Sequence, residues 1–162
     1  MRTKAKAFTW SISYYDINQA VVGLKGQPIT KVKTVAGLKP FKPSVPIGTS
    51  YNYVVKYIKP GQKPAVFKDE FPAINALEEG QVDGLVISFH VALISLAVVE
   101  NSVVVGRLPH QGKQEHFALV LQKGNPLVTC VNTTLAQMQA DGTLKRFEHW
   151  LAKAGGAPYL KK

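Results

Sequence analysis

The sequence contains one cysteine, Cys130, and few residues suited to metal or nucleophile chemistry. A lone thiol forms neither an internal disulfide nor a cysteine-based zinc site. Its apolar setting in residues 127–131 predicts a buried, unreactive thiol on a helix. The four histidines are scattered, without the spacing of metal ligands, at His90, His110, His116 and His149. We therefore expect no metal and no cofactor.

Several common functional signatures are also missing. The sequence lacks the Gly-Lys-Ser/Thr ending of a phosphate-binding loop, and it lacks the Gly-x-Ser-x-Gly motif of a nucleophile elbow. The sequence has no apolar run of membrane-spanning length and no leader-like apolar stretch after its first basic residues. With 162 residues, 46% of them hydrophobic, the composition is that of one globular domain with a sizeable core.

Acidic residues are almost missing from the first part of the chain. Residues 1–68 hold twelve Lys/Arg against one acid, Asp16, whereas residues 69–162 hold eight against nine, and the net charge is +10. A basic excess is one indication of a nucleic-acid or anionic-membrane partner. Here the lysines are spread singly and form no helical stripe, whereas base-reading modules usually cluster arginine. We expect a solvated lysine surface and no nucleic-acid partner, and a basic nucleic-acid-binding protein is a less favoured alternative.

Strand-like and helix-like segments alternate from residue 44 to residue 105. Strands are predicted at 19–24, 44–47, 64–67, 83–87, 103–105 and 116–121, and helices at 51–58, 71–77, 89–99, 126–140 and 143–152. This alternation predicts an α/β fold in which helices flank a parallel sheet. The strand at 83–87 is apolar on both faces, which indicates burial between two layers.

A polar turn, Gly48-Thr49-Ser50, follows the strand at 44–47 and precedes a helix. Free N–H groups and the helix dipole suit such a position to an anion, and glycine lets a ligand approach the backbone. Thr49 and Ser50 would equally serve as helix caps. Both interpretations stay open at this point.

Ser88 lies at the carboxyl end of the buried strand 83–87, where open α/β sheets bind their ligands. It would equally serve as the N-cap of the helix that begins near Phe89. His90 is predicted to face solvent in the first turn of that helix.

Aromatic residues concentrate near the start of the chain, at Trp10, Tyr14 and Tyr15. Core packing is their default role, but aromatic side chains also line small-molecule clefts. Tyr15 is therefore kept as a candidate ligand-binding residue.

Four stretches taken together resemble one protein family. They are FTWSISYYDINQAVVGLKG (8–26), VPIGTS (45–50), AINALEEGQVDGLV (73–86) and residues 115–151, which include ADGTL and a closing tryptophan. In this order and spacing they are similar to the later part of extracytoplasmic solute-binding proteins of family 3. These are the type II periplasmic binding proteins of polar amino acid ABC transporters.

The resemblance implies a receptor, not an enzyme, that closes two lobes over a small polar, anionic or amino-acid-like solute and presents it to an ABC permease. It implies a periplasmic or extracytoplasmic location. Residues 1–18 correspond to a remnant of the first lobe, 19–112 to the second-lobe α/β domain, and 113–162 to the return strand and C-terminal helices of the first lobe.

Most of the first lobe has no counterpart in this sequence, so we expect a truncated or split protein. Such a protein would form a homodimer or bind a separately encoded first lobe. An interaction or dimerisation domain without its own ligand is one alternative. A dehydratase-like enzyme is a less favoured one.

The resemblance also implies site residues. Lys4 stands where the family has an arginine for the α-carboxylate, and lysine keeps the charge but loses the bidentate fork. Ser88 stands where an aspartate holds the α-ammonium, and serine is no charge-assisted acceptor. We therefore expect free α-amino acids to be poor ligands. The expected solute-binding residues are Gly48, Thr49, Ser50, Ser88, Lys4 and Tyr15.

Overall fold

The computed structural model describes residues 7–112 and 114–162. They form two compact units. The smaller unit contains residues 7–17 and 114–154, and the larger unit contains residues 18–112 and 155–162. Both units are therefore built from segments that are distant in the sequence.

The strands are β1 Phe8–Trp10, β2 Tyr15–Ile17, β3 Gln19–Leu24, β4 Pro43–Pro46, β5 Ala65–Phe67, β6 Gly84–Ser88, β7 Ser102–Arg107, β8 Glu115–Phe117 and β9 Val120–Gln122. The α-helices are α1 Thr49–Tyr53, α2 Glu70–Glu78, α3 Phe89–Val98, α4 Leu127–Ala140 and α5 Thr143–Ala154. A π-helical turn, Val54–Ile58, continues α1. The strands and helices predicted from the alternating pattern are confirmed within a few residues at each end.

The larger unit is a five-stranded sheet in the order β5-β4-β6-β3-β7, flanked by helices. Strand β4 is parallel to β5 and β6, whereas β3 is antiparallel to both of its neighbours, β6 and β7. The α/β class is confirmed, and the sheet is mostly rather than wholly parallel. The exception is β3, which precedes the alternating segment and is followed by short 3-10 turns instead of a crossover helix.

Side chains alternate between the two faces of this sheet. Ala20 and Val22 of β3 pack with α2 and α3, in a core that also contains Leu85, Ile87, Ala73 and Leu77. Val21 points to the other face and packs with Val86, Tyr53, Val54 and Ile58. This period of two is what an apolar strand buried between two layers produces.

The last eight residues, 155–162, pack with the larger unit. The backbone N–H of Arg107 donates to the Pro158 carbonyl (2.7 Å), and the Leu160 N–H donates to the Arg107 carbonyl (2.9 Å). Leu160 is 3% exposed and contributes to the core. Residues 155–162 thus extend the edge of β7. The assignment of residues 113–162 to the first lobe stays a prediction.

In the smaller unit, β1 pairs with β9 and β2 pairs with β8, both antiparallel. The single strand predicted at 116–121 is thus two short strands with different partners. Neither α4 nor α5 contains a buried residue. Cys130 on α4 is exposed, so the prediction of a buried thiol was wrong. Its apolar neighbours indicated burial, but no part of the described chain covers that side of α4.

No helix in residues 7–112 and 114–162 is both long and apolar enough to cross a membrane.

Candidate functional site

The candidate site begins with Gln19 and Ser88, which are direct cross-strand partners on β3 and β6. Directly opposed residues on adjacent strands point to the same face of a sheet. Each lies two positions from a valine, Val21 or Val86, that is buried on the face covered by α1. Gln19 and Ser88 therefore project toward the α1 side, at the edge where β4 and β6 end.

Ser50 of α1 completes this polar group. Its hydroxyl donates to the Gln19 side-chain oxygen, Oε1, over 2.7 Å, and both residues are 6% exposed. Since the Ser50 proton is committed to Gln19, the Ser50 oxygen keeps its acceptor capacity. Sequence reasoning missed Gln19. The available signal was a single polar residue at the head of an otherwise apolar strand, 19–24.

Gly48 forms the turn between β4 and α1. Its φ of 119° and ψ of −134° lie in a region that side-chain-bearing residues rarely adopt. A Cβ atom at this position would meet nothing within 4 Å. The glycine is therefore required by the backbone, and the space beside it is open to a ligand.

Neither Ser50 nor Ser88 caps a helix with its hydroxyl. Gly48 occupies the N-cap position of α1 and has no side chain, and the Ser50 hydroxyl bonds to Gln19. Ser88 occupies the N-cap position of α3, but its side chain makes no capping hydrogen bond. The Ser88 position thus agrees with the cap interpretation, whereas its hydroxyl is not used as a cap.

Tyr53, one turn after Ser50, anchors the segment that follows β7. Its hydroxyl donates to the Pro109 carbonyl over 2.6 Å. Burial, together with the neighbouring Tyr57, raises the pKa of Tyr53 to about 12. The phenol is therefore neutral at physiological pH and remains a donor.

His90 is half-buried at the start of α3, so the prediction of a solvent-facing histidine was wrong. Burial lowers the pKa of His90, and the Glu70 carboxylate opposes that effect to a smaller extent. The imidazole next to Ser88 is accordingly neutral at neutral pH.

The remaining predicted residues lie elsewhere. Lys4 is outside the described residues. Tyr15 belongs to the smaller unit, where its ring stacks on Phe117 with 5.8 Å between ring centres. Tyr14 stacks on the same ring at 6.3 Å, whereas Trp10 is 64% exposed and is not a core residue. The structure thus gathers Gly48, Thr49, Ser50 and Ser88 in one unit.

A metal centre finds no support in the described chain. Over residues 7–112 and 114–162, no group of three or more His, Cys, Asp or Glu side chains is placed to hold a metal ion. The side chains that do converge at the sheet edge are neutral donors and acceptors, which suit hydrogen bonding to a small polar molecule.

A mostly parallel sheet with polar residues at its carboxyl edge is the usual arrangement of a ligand site in an open α/β fold. No family model matches the chain. The sequence is 28% identical over 149 residues to the L-cystine-binding protein TcyJ of Escherichia coli strain K12, covering 91% of this chain and 55% of TcyJ. The chain therefore spans about half the length of the curated relatives it matches.

Solved structures share this fold. One is the second substrate-binding domain of a putative amino acid ABC transporter from Streptococcus pneumoniae, with a TM-score of 0.65 and 21% identity, covering 96% of this chain and 68% of that one. Another is an ancestral arginine-binding protein bound to arginine, with a TM-score of 0.61 and 28% identity, covering 96% and 67%. The resemblance to amino-acid-type solute-binding proteins of ABC transporters is confirmed. These relatives are named as binding proteins or domains, not as enzymes.

Proposed function

We propose that this chain is the solute-binding part of an amino-acid-type ABC importer receptor. It comprises the second lobe and the returning segments of the first. The observation that carries the proposal is the polar group Gln19, Ser50 and Ser88 beside the open turn at Gly48. This group lies at the carboxyl edge of the sheet, where open α/β folds bind ligands. Sequence similarity to a cystine-binding protein supports a small polar or amino-acid-like solute.

In this proposal the solute lies against Gly48 and Thr49 and hydrogen-bonds to Ser50 and Ser88. Lys4 and Tyr15 stay candidate ligand-binding residues by resemblance, and Lys4 carries the positive charge that suits an anionic group. The solute is bound and released unchanged, so the chain acts as a receptor and not as an enzyme. It works outside the cytoplasm and delivers its solute to a membrane permease.

The smaller unit supports a protein partner. No residue of α4 or α5 is buried, and Phe147 and Trp150 are 58% and 66% exposed. Large apolar side chains left uncovered together mark an interaction surface. We propose that this surface binds a second copy of the chain or a separately encoded first lobe. Light scattering of the purified chain tests the first arrangement, and a monomer at high concentration contradicts it.

Calorimetric titration of the 162-residue chain with amino acids and small organic acids tests solute binding. We expect saturable but weak binding by the monomer, because half a cleft neither encloses the solute nor excludes water from it. Replacing Ser50 by alanine is expected to weaken that binding. The matched control is Ser102→Ala, since Ser102 lies at the start of β7 and its hydroxyl donates to the Val99 carbonyl.

Two outcomes would count against this function. If no member of the panel binds saturably, the chain is not a solute receptor on its own. If the monomer binds an unmodified amino acid with micromolar affinity, half a cleft is sufficient for binding. The expectation of weak binding by the monomer is then wrong.

A further inference from the structure

Gln19 has a side-chain amide of which only the oxygen has a protein partner in the described residues. The side chain is 6% exposed, and its Oε1 accepts the Ser50 proton. Within the described residues, the amide nitrogen Nε2 donates to no protein acceptor. An amide NH2 carries two donors. Among the described residues, Nε2 of Gln19 is not one of the buried side-chain atoms that lack a partner, so it reaches solvent. An acceptor on a ligand can therefore take the place of water at this donor.

The Gln19–Ser50 contact also fixes the polarity of the neighbouring hydroxyl. The Ser50 hydroxyl donates its only proton to Gln19, so the Ser50 oxygen can still accept a hydrogen bond. A donor on Gln19 and an acceptor on Ser50 therefore lie side by side. The chemical complement is a group that presents one acceptor and one donor next to each other.

We propose that Gln19 and Ser50 form a subsite for a neutral carboxamide. The carbonyl oxygen of the solute accepts from Gln19 Nε2, and the amide N–H of the solute donates to Ser50 Oγ. This inference rests on the proposed function and narrows its solute class to molecules that carry a primary carboxamide. Gln19 becomes the residue that determines specificity at this edge.

A carboxylate fits this subsite less well. It has acceptors only, so one of its oxygens would face the lone pairs of Ser50 while the other accepts from Gln19.

Access to the subsite is provided by the turn at Gly48. A Cβ atom added at Gly48 would meet no other atom within 4 Å, and Thr49, the next residue, is exposed. Ser88, the cross-strand partner of Gln19, adds another neutral hydroxyl at the same edge. A small solute therefore meets a neutral hydrogen-bonding surface here.

The test is calorimetric titration of the full chain with matched pairs that differ only in this group. The pairs are L-glutamine with L-glutamate, and succinamate with succinate, at neutral pH and physiological salt. We expect the amide of each pair to bind about tenfold more tightly, as one mismatched hydrogen bond at a buried site predicts. The net charge of +10 favours the acids, so this preference would run against the overall field.

The variant Gln19→Glu replaces the donor by a carboxylate and is expected to abolish the amide preference. Gln27→Glu is the matched control, because it makes the same charge change at an exposed position beyond the far end of β3. Ser50→Ala is a second variant, which removes the acceptor and leaves Gln19 in place. It should also reduce the ratio of affinities between the amide and the acid of each pair. Thermal unfolding of each variant checks that it is folded.

The outcomes separate the two proposals. If both members of each pair bind the unmodified chain within about threefold, or if the acids bind more tightly, the carboxamide subsite is wrong and the receptor function stands. An unchanged amide preference in a folded Gln19→Glu variant also overturns the subsite. If no solute binds saturably, the proposed function fails, and the subsite fails with it.

Discussion

The guanidinium carbon of Arg107 lies 4.0 Å from the centre of the Tyr159 ring. The ring of Phe89 lies 5.5 Å from the same carbon, and the Arg107 Nε donates to the Ala157 carbonyl over 3.1 Å. One side chain at the end of β7 thus contacts the start of α3 and the segment after α5. Arg107 therefore holds residues 155–162 against the larger unit.

Arg107→Lys should loosen this segment. Lysine keeps the charge but loses the planar stacking and the Nε–H donor, so we expect the free energy of unfolding to fall by about 1–2 kcal/mol. Amide hydrogen exchange at residues 159–161 should accelerate. Arg146→Lys on α5 is the control, because the exposed guanidinium of Arg146 donates to the Asp141 carbonyl and the Thr143 hydroxyl and contacts no ring that the structure describes. Equal effects of the two changes would show that the ring contacts are unimportant.

Gly106→Ala should displace the same segment by a different route. A Cβ at position 106 would lie 2.6 Å from Leu160 Cδ2 and 3.1 Å from the Pro158 carbonyl oxygen. Overpacking of this kind costs about 1–3 kcal/mol. At Gly61 an added Cβ meets only the Lys39 carbonyl at 3.6 Å, an ordinary contact, so Gly61→Ala is the matched control. Urea unfolding measures both, and a Gly106→Ala protein as stable as the control would contradict the packing described.

Tyr53→Phe removes the donor to the Pro109 carbonyl and should lower the free energy of unfolding by about 1 kcal/mol. Tyr57→Phe makes the same chemical change on a neighbouring ring that is 39% exposed, and we expect little effect from it. Spectroscopic titration adds a second check, because the pKa of about 12 at Tyr53 delays its ionisation. If Tyr53→Phe and Tyr57→Phe remove the same part of the alkaline titration curve, this would argue against a distinct role for Tyr53.

His90 should make stability depend on pH. Because burial lowers its folded pKa below the ordinary value of 6.5, the unfolded chain binds more protons as the pH falls through that value. This contribution to stability is complete above the unfolded pKa and is lost as the solution becomes more acidic. His90→Asn removes this contribution. The difference in free energy of unfolding between the original chain and the variant should therefore shrink or reverse on acidification.

Urea unfolding at a series of pH values measures that difference. His149→Asn is the matched control, since His149 is exposed on α5. A pH dependence that is identical in the original chain and in His90→Asn would show that the burial of His90 has no effect on stability.

The sequence was sufficient for the elements whose burial depends on local pattern. The apolar runs at β3 and β6 and the alternation from β4 to β7 predicted the layers, and Ser88 was placed at the correct end of its strand. Gln19 was missed because its role depends on Ser50, 31 positions away. No local pattern reveals such a contact.

The predictions for Cys130 and for residues 116–121 were wrong for a related reason. An apolar stretch predicts burial only if another element covers it, and α4 has no buried residue. The single predicted strand is divided because Asp16 and Thr9 belong to two separate partner strands, β2 and β1. Tertiary partners, which the local sequence does not specify, decided both cases.

The pairing of β2 with β8 has a consequence for the order of folding. Asp16 and His116 contact each other across 100 positions, and Ser11 and Leu119 across 108. During synthesis, β3 to β7 are all available before β8 leaves the ribosome. The larger unit can therefore begin to assemble while residues 7–17 wait for their partners. Because closing a long loop precedes any gain from the contacts it brings, the smaller unit should be the slow step in refolding.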